Sequence, residues 1–394
     1  MLQRVDNSAL YHCAMMSNNY INSFRLKVVF KDKIDKDLLL QASKTLIKRF
    51  PSFFASITND NYWYYTKTLK ELIIHEYKDE FQTVKYIDID KYAIALLVDE
   101  YTLVLEVFHA VSDGVGALYV FKELVKAYLE LKWGQDINYQ DYVLEENIDS
   151  YNEVPKVPKI NKNTIINKPF MFTGKNFEAI PLVKTYEFDL NNFKSYSKQF
   201  GCTVNDLVVL LFYRAIKEVR QNKREISVLL PINLRKHFNS KTVKNFILTS
   251  RIALQNSDDF TIINDIKQQL KAQNNYANLA YEVNKINRIY RNPLIKYIPI
   301  GIKCLFIKLT YHLGRKENTC ITLSNLGKVE FGGLYDQYID KLCFALSPRF
   351  NGPYNCGIVS HNNKMIIEIT HDDSNHHLLE AFEKVLKQYR INYK

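Results

Sequence analysis

Long apolar runs are missing from this 394-residue chain: nowhere do about 18 uncharged apolar residues follow one another, the length a membrane-crossing helix needs. The opening stretch MLQRVDNSALYHCAMMSNNY holds no continuous apolar segment of signal-peptide length, so neither a secretion signal nor a membrane span is expected. Cysteine is scarce. The six residues, Cys13, Cys202, Cys304, Cys320, Cys343 and Cys356, lie far apart with no CxxC pair, which points away from a zinc site or a disulfide framework and towards a cytoplasmic setting. Basic runs are lacking too: the net charge is +11, from 53 Lys and Arg against 42 Asp and Glu, yet no five cations are consecutive. A phosphorylated cofactor or a membrane surface suits that balance, whereas specific nucleic-acid binding is not expected. No GxSxG elbow, Walker loop, HExxH or strand-linked GxGxxG is present, which leaves serine hydrolase, nucleotide hydrolase, zinc protease and dinucleotide enzyme without support.

What is present reads as a folded chain, with 47% hydrophobic and 24% charged residues. Its length suggests two domains. Phe24 to Phe30 reads as a strand, and Asp35 opens an apolar-periodic helix that stops at Pro51. Tyr92 to Val98 and Leu103 to Phe108, separated by Asp99-Glu100-Tyr101-Thr102, read as a hairpin, and a helix follows from Ala117 to Leu131. Between Asn147 and Pro181 the pattern weakens among Pro155, Pro158, Pro169 and Pro181, the best connector in the chain. The second half restarts with a strand (Lys184 to Asp189), a helix from Thr203 to Arg220 and an apolar strand, Ile226 to Leu230, ending in Pro231. It closes on a strand, Lys364 to Thr370, and a helix from His377 to Tyr389.

At the end of the hairpin stands Phe108-His109-Ala110-Val111-Ser112-Asp113-Gly114. An imidazole titrates near neutral pH and can take a proton from an alcohol or amine. The aspartate can hold the turn through hydrogen bonds or an ion pair, and the glycine permits backbone geometry that other residues resist. By itself a histidine at a strand end is more often structural.

Hairpin, HAVSDGVG turn and amphipathic helix together resemble the HxxxDG motif of the chloramphenicol acetyltransferase-like, condensation-domain superfamily of CoA-dependent acyltransferases. Four further stretches are similar in the right order: RFPSF from Arg49, TVNDLVVLLFYRAI from Thr203, PINLRKHF from Pro231 and LSNLG from Leu323, the last two most like bacterial alcohol acetyltransferases. The resemblance implies an α/β fold with α+β layers, in which two similar domains form a pseudo-dimer around a channel. On this sequence the domains would be residues 1–165, carrying HxxxDG, and 181–394, joined by a crossover at 166–180. It further implies that His109 is the general base and that acyl-CoA, with acetyl-CoA the expected form, is a co-substrate with no permanently bound cofactor. Asp113 and Gly114 would support the turn, Asp113 through an ion pair with Arg235 or, equally, Arg251. An acyl carrier protein is the alternative donor, and a non-catalytic binding module the alternative use of the fold. Two features depart from the family: Phe108 replaces the first histidine of the fuller HHxxxDG form, and the DFGWG signature of the plant branch is absent.

Ser324 and Asn325 would either offer polar groups to the channel or close a turn. Asn205 and Asp206 fit a helix start, with Thr203 and Asp206 forming a capping box. In Thr370 to His377, His371, Asp372, Asp373, His376 and His377 have metal-ligand types, but the position suits an N-capping loop better, and no metal is expected. Ile286 to Arg315 is apolar, aromatic and basic: either a peripheral membrane contact or, the favoured reading, a wall with Lys296, Lys303 and Lys308 exposed and its apolar face buried. Pro293 and Pro299 divide it.

Overall fold

The computed structural model describes residues 2–17, 20–78, 89–134, 149–160, 169–172, 181–220, 223–313, 319–348, 352–372 and 377–394. Most of the expected crossover, and Asp373 to His376 of the histidine-rich loop, lie outside them. The first half supplies β1 (Leu2–Arg4), α1 (Asn7–Met15), β2 (Ser23–Phe30), α2 (Lys36–Arg49), β3 (Ala55–Asn59), β4 (Tyr64–Thr68), β5 (Ile74–Glu76), β6 (Ile94–Val98), β7 (Thr102–Phe108) and α3 (Gly114–Trp133). The second half begins with β8 (Leu182–Asp189), α4 (Leu190–Gln199), α5 (Val204–Val219), β9 (Ile226–Asn233), α6 (Arg235–Phe238) and β10 (Ile247–Leu254). Four helices follow, α7 (Asp259–Gln273), α8 (Tyr276–Tyr290), α9 (Pro293–Lys296) and α10 (Ile300–Leu313). Last come β11 (Ile321–Val329), β12 (Ile339–Leu346), β13 (Tyr354–His361), β14 (Lys364–His371) and α11 (His377–Gln388).

Local chemistry sets most boundaries. Asp35 caps α2 by accepting from the Asp37 and Leu38 amides at 3.0 and 3.1 Å. Asp99 does the same for the β6–β7 turn, accepting from Tyr101 and Thr102 at 2.8 and 2.7 Å. Thr203 and Asp206 form the reciprocal capping box of α5. Asp113 begins α3, whose left-handed C-cap is Gly134.

Five strands run in the order β12-β2-β7-β6-β5 and six in the order β10-β9-β11-β13-β14-β8, with a small third sheet, β1-β4-β3. Separate apolar clusters lie on the two large sheets. One gathers Phe24, Leu105, Phe108 and Phe121, the other Tyr186, Phe212, Ile358 and Phe382. β12 comes from the second half of the chain but pairs antiparallel with β2, so the five-stranded sheet is completed by a strand from far along the sequence.

Pro231 does not end β9. The strand continues to Asn233, paired with β10 from Ile226↔Leu254 to Asn233↔Ile247. Its parallel partner β11 pairs only at Val228 and Leu229, so beyond Leu229 the strand has one open edge, where a proline is tolerated. The splaying of β9 from β11 opens the cleft that holds the candidate site. Between Ile286 and Arg315 the expected arrangement is partly reversed, because Lys303 turns inward and is only 5% exposed. Its ammonium donates to the Tyr62 carbonyl at 2.7 Å and sits 4.5 Å from the centre of the Trp63 ring. Several apolar side chains of α10 face outward instead.

Candidate active site

Residues 109–116 leave β7 and enter α3 within one turn, and that turn is clamped from the other half of the chain. Asp113 Oδ1 accepts from the Val115 and Gly116 amides at 3.1 and 2.8 Å, satisfying helix-start donors that would otherwise be orphaned. Its Oδ2 accepts from the Phe246 amide at 2.7 Å and from Arg235 Nη1 at 2.9 Å. Both members of this ion pair are buried. Arg235 also donates to the Thr242 and Lys244 carbonyls, so each guanidinium nitrogen of the buried charge has an acceptor. Arg251, the other candidate partner, instead pairs with Glu225. Ser112 Oγ donates to the Val243 carbonyl at 2.5 Å.

The glycines are required by space. A Cβ on Gly116 would lie 2.2 Å from the Val243 carbonyl oxygen and 2.5 Å from Ser112 Oγ. On Gly114 it would meet Phe344 and Leu326 at 3.0 and 3.2 Å. Gly114 is not among the positive-φ residues, so the expectation of unusual backbone geometry is replaced by one of close approach. Phe108 is fully buried in the core between sheet and helices, which accounts for an apolar residue before the histidine.

His109 is held at two points. Its amide donates to the Asn22 carbonyl at 2.8 Å. Asn245 then meets it twice: Nδ2 donates to the His109 carbonyl at 2.9 Å, and Oδ1 lies 3.1 Å from Nδ1. Because a carbonyl only accepts, the amide orientation of Asn245 is fixed, and Nδ1 must carry the proton. Nε2 is left with a bare lone pair. The His12 ring stacks on His109 with centroids 4.3 Å apart and planes 15° from parallel, while Phe24 meets it edge-on. The Asn22 side-chain amide contacts His12 Nδ1 at 2.8 Å. Burial lowers the His109 pKa below the ordinary value of 6.5, opposed by the Asp113 charge and the Asn245 hydrogen bond. Burial, then the repulsion that a protonated His109 would exert, hold His12 well below the same value. Both rings are thus neutral at pH 7, and His109 can accept a proton.

A cavity of about 220 Å³ lies beside this pair. Its floor is the turn, with His109, Asp113 and Gly114; its far wall is the splayed strand pair, with Leu229, Pro231 and Asn233 on β9 and Thr322, Ser324 and Asn325 on β11. Phe344 of the exchanged strand β12 and Tyr311 of α10 also line it. Ser324 is therefore a cavity residue on a strand. Asn325 is exposed, and its Oδ1 accepts from the Gly327 amide at 2.8 Å, tying down the irregular register between Asn325 and Lys328. Of the expected residues, His109, Asp113, Gly114, Ser324 and Asn325 share one cavity, and Arg235 stands behind it. Sequence reasoning missed Asn245 and His12. Neither lies in a recognisable motif; each acts through its contact with His109, far off in the chain.

Comparison with protein-family models and with curated proteins found no match. Solved structures do match along nearly the whole chain. Fusarium sporotrichioides TRI101, complexed with coenzyme A and T-2, aligns with a TM-score of 0.65 at 10% identity, covering 100% of this chain and 99% of that one. The first condensation domain of the calcium-dependent antibiotic synthetase, in complex with a substrate analogue, aligns at 0.61 and 11% identity, with coverages of 98% and 95%. TRI3, a trichothecene 15-O-acetyltransferase from the same Fusarium species, aligns at 0.59 and 10% identity, again over 98% and 95%. At such identities the likeness establishes the fold: the chain has the mixed α/β architecture shared by chloramphenicol acetyltransferase-like enzymes and condensation domains.

Proposed function

We propose that this chain is an acyltransferase that moves an acyl group, acetyl in the simplest case, from acyl-CoA to an alcohol or amine acceptor, with His109 as general base. The observation that carries the reading is the pair of Asn245 contacts on His109, which pins the proton on Nδ1 and leaves Nε2 bare beside a cavity. Depression of the His109 pKa by burial supports it, because a base must be unprotonated at working pH.

In the proposed step, Nε2 takes the proton of the acceptor O–H or N–H as the acceptor heteroatom bonds to the thioester carbonyl carbon. The C=O π pair moves onto oxygen, giving a tetrahedral oxyanion that needs fixed donors. Ser324 is the proposed hydroxyl donor nearby. Re-formation of the C=O bond breaks the C–S bond, and the departing thiolate takes the proton back from Nε2. Positioning of two bound substrates supplies much of the acceleration and the base about 10²- to 10⁴-fold. Asp113, Gly114 and Arg235 hold the turn without touching the reacting atoms. Division of the chain into units 1–165 and 181–394, with the cavity between them, is part of the same proposal.

Condensation domains among the structural neighbours favour a second reading, with a carrier-protein thioester as donor. Thiol release from acetyl-CoA and from acyl carrier protein, measured over a panel of alcohols and amines, separates the two. With the preferred donor, His109→Ala is expected to lose about 10²- to 10⁴-fold in turnover. Equal activity in variant and wild type would refute the mechanism; no transfer by wild type from any donor would favour a non-catalytic binding module.

A further inference from the structure

The helix α10 is apolar on both sides yet only half covered. Inward, Ile300 and Ile307 pack on the core, while Lys303 and Cys304 meet Tyr62 and Tyr64. Outward, at the i, i+3, i+4, i+7 spacing of one helix face, Ile302, Leu305, Phe306 and Leu309 are exposed, Leu305 by 65% and Phe306 by 58%. Leu294 and Tyr297, just before it in the chain, are exposed by 76% and 69%. An apolar face of this extent normally marks an interaction surface.

Charge identifies the partner. From Val283 to Lys316 the sequence contains no Asp or Glu and eight Lys or Arg. Within that stretch Arg288, Lys296 and Lys308 are all exposed. No helix among the described residues is long and apolar enough to cross a membrane, so α10 can lie on a bilayer but not span it. A second copy of this chain would bring the same cations face to face without an intervening acid, which disfavours a dimer on this surface.

We propose that α9 and α10 form a docking surface for an anionic lipid bilayer: Leu294, Tyr297, Ile302, Leu305, Phe306 and Leu309 enter the interface, and Lys296 and Lys308 sit at headgroup level. Tyr311, near the end of α10, lines the His109 cavity from the inward side of the same helix, the side turned away from the docked face. Docking does not depend on acyl transfer and is tested without it.

The experiment is vesicle co-sedimentation of the full chain with phosphatidylcholine vesicles and with mixed phosphatidylcholine and phosphatidylserine vesicles, beside sedimentation velocity without lipid. Binding to the mixed vesicles that weakens with salt is expected. Leu305→Glu with Phe306→Glu should lower that affinity at least about tenfold. Lys296→Glu with Lys308→Glu should lower it at least about fivefold while leaving binding to neutral vesicles unchanged. Thermal melts matching wild type establish that both variants fold, as substitutions at exposed positions should allow. No wild-type binding, equal binding to neutral and mixed vesicles, or binding that either variant retains in full would overturn the proposal. So would a lipid-free dimer that Leu305→Glu with Phe306→Glu abolishes, which would assign the face to a second copy.

Discussion

The two walls of the cleft are built in opposite ways. On one side, His109, Asp113, Gly114 and Gly116 fall within eight consecutive residues, and a single strand-to-helix turn positions them all. On the other, Ser324 lines the cavity while Arg235 and Asn245 reach the turn from behind that lining, three residues from separate places, aligned only because β9, β10 and β11 find their registers. Neither wall stands alone. Asp113 accepts hydrogen bonds from both, from its own helix start and from Arg235 and Phe246 opposite. Contiguity makes a wall legible, whereas long-range contacts hold it in position.

The sharpest way to break that interdependence is Asp113→Ala, which strips α3 of its cap and leaves Arg235 buried without its counter-ion. A loss of about 3–5 kcal/mol in stability is expected, read by denaturant unfolding. Unchanged stability and turnover would show that the walls are independent. Gly116→Ala tests the same joint through space alone, because the new Cβ would press on the Val243 carbonyl. It should cost about 1–3 kcal/mol by the same measurement, and a neutral result would mean that the segment Thr242–Asn245 yields freely. Asn245→Ala touches only the histidine side of the joint. It should lower kcat about tenfold with little change in KM, because Nδ1 loses the partner that fixes its proton. A change in KM alone would make Asn245 a substrate contact instead.

Local features of the fold were readable because their causes are local. The Asp35 cap, the β6–β7 hairpin with its Asp99 turn and the Thr203/Asp206 box each depend on residues within a few positions of one another. Features set by distant partners were not. The exchange of β12 into the first sheet, the passage of β9 through Pro231 and the inward turn of Lys303 depend on which strand or ring arrives opposite. The candidate site divides in the same way. His109 and Asp113 stood out as a motif, and Arg235 as one of two candidate partners. His12 and Asn245 had no signal, since a lone histidine on a helix or an asparagine before a strand acquires meaning only from what it touches.

The central claim is that His109 works as a neutral base with its lone pair on Nε2, and the pH dependence of kcat/KM for the preferred donor tests it most directly. Burial lowers the His109 pKa, so the ring stays unprotonated to lower pH than a free histidine would. Activity should therefore rise with pH along an acidic limb whose midpoint lies below 6.5, the ordinary histidine value, and the residual activity of His109→Ala should lack that limb. A midpoint above 6.5, or the same limb in His109→Ala, would contradict the account.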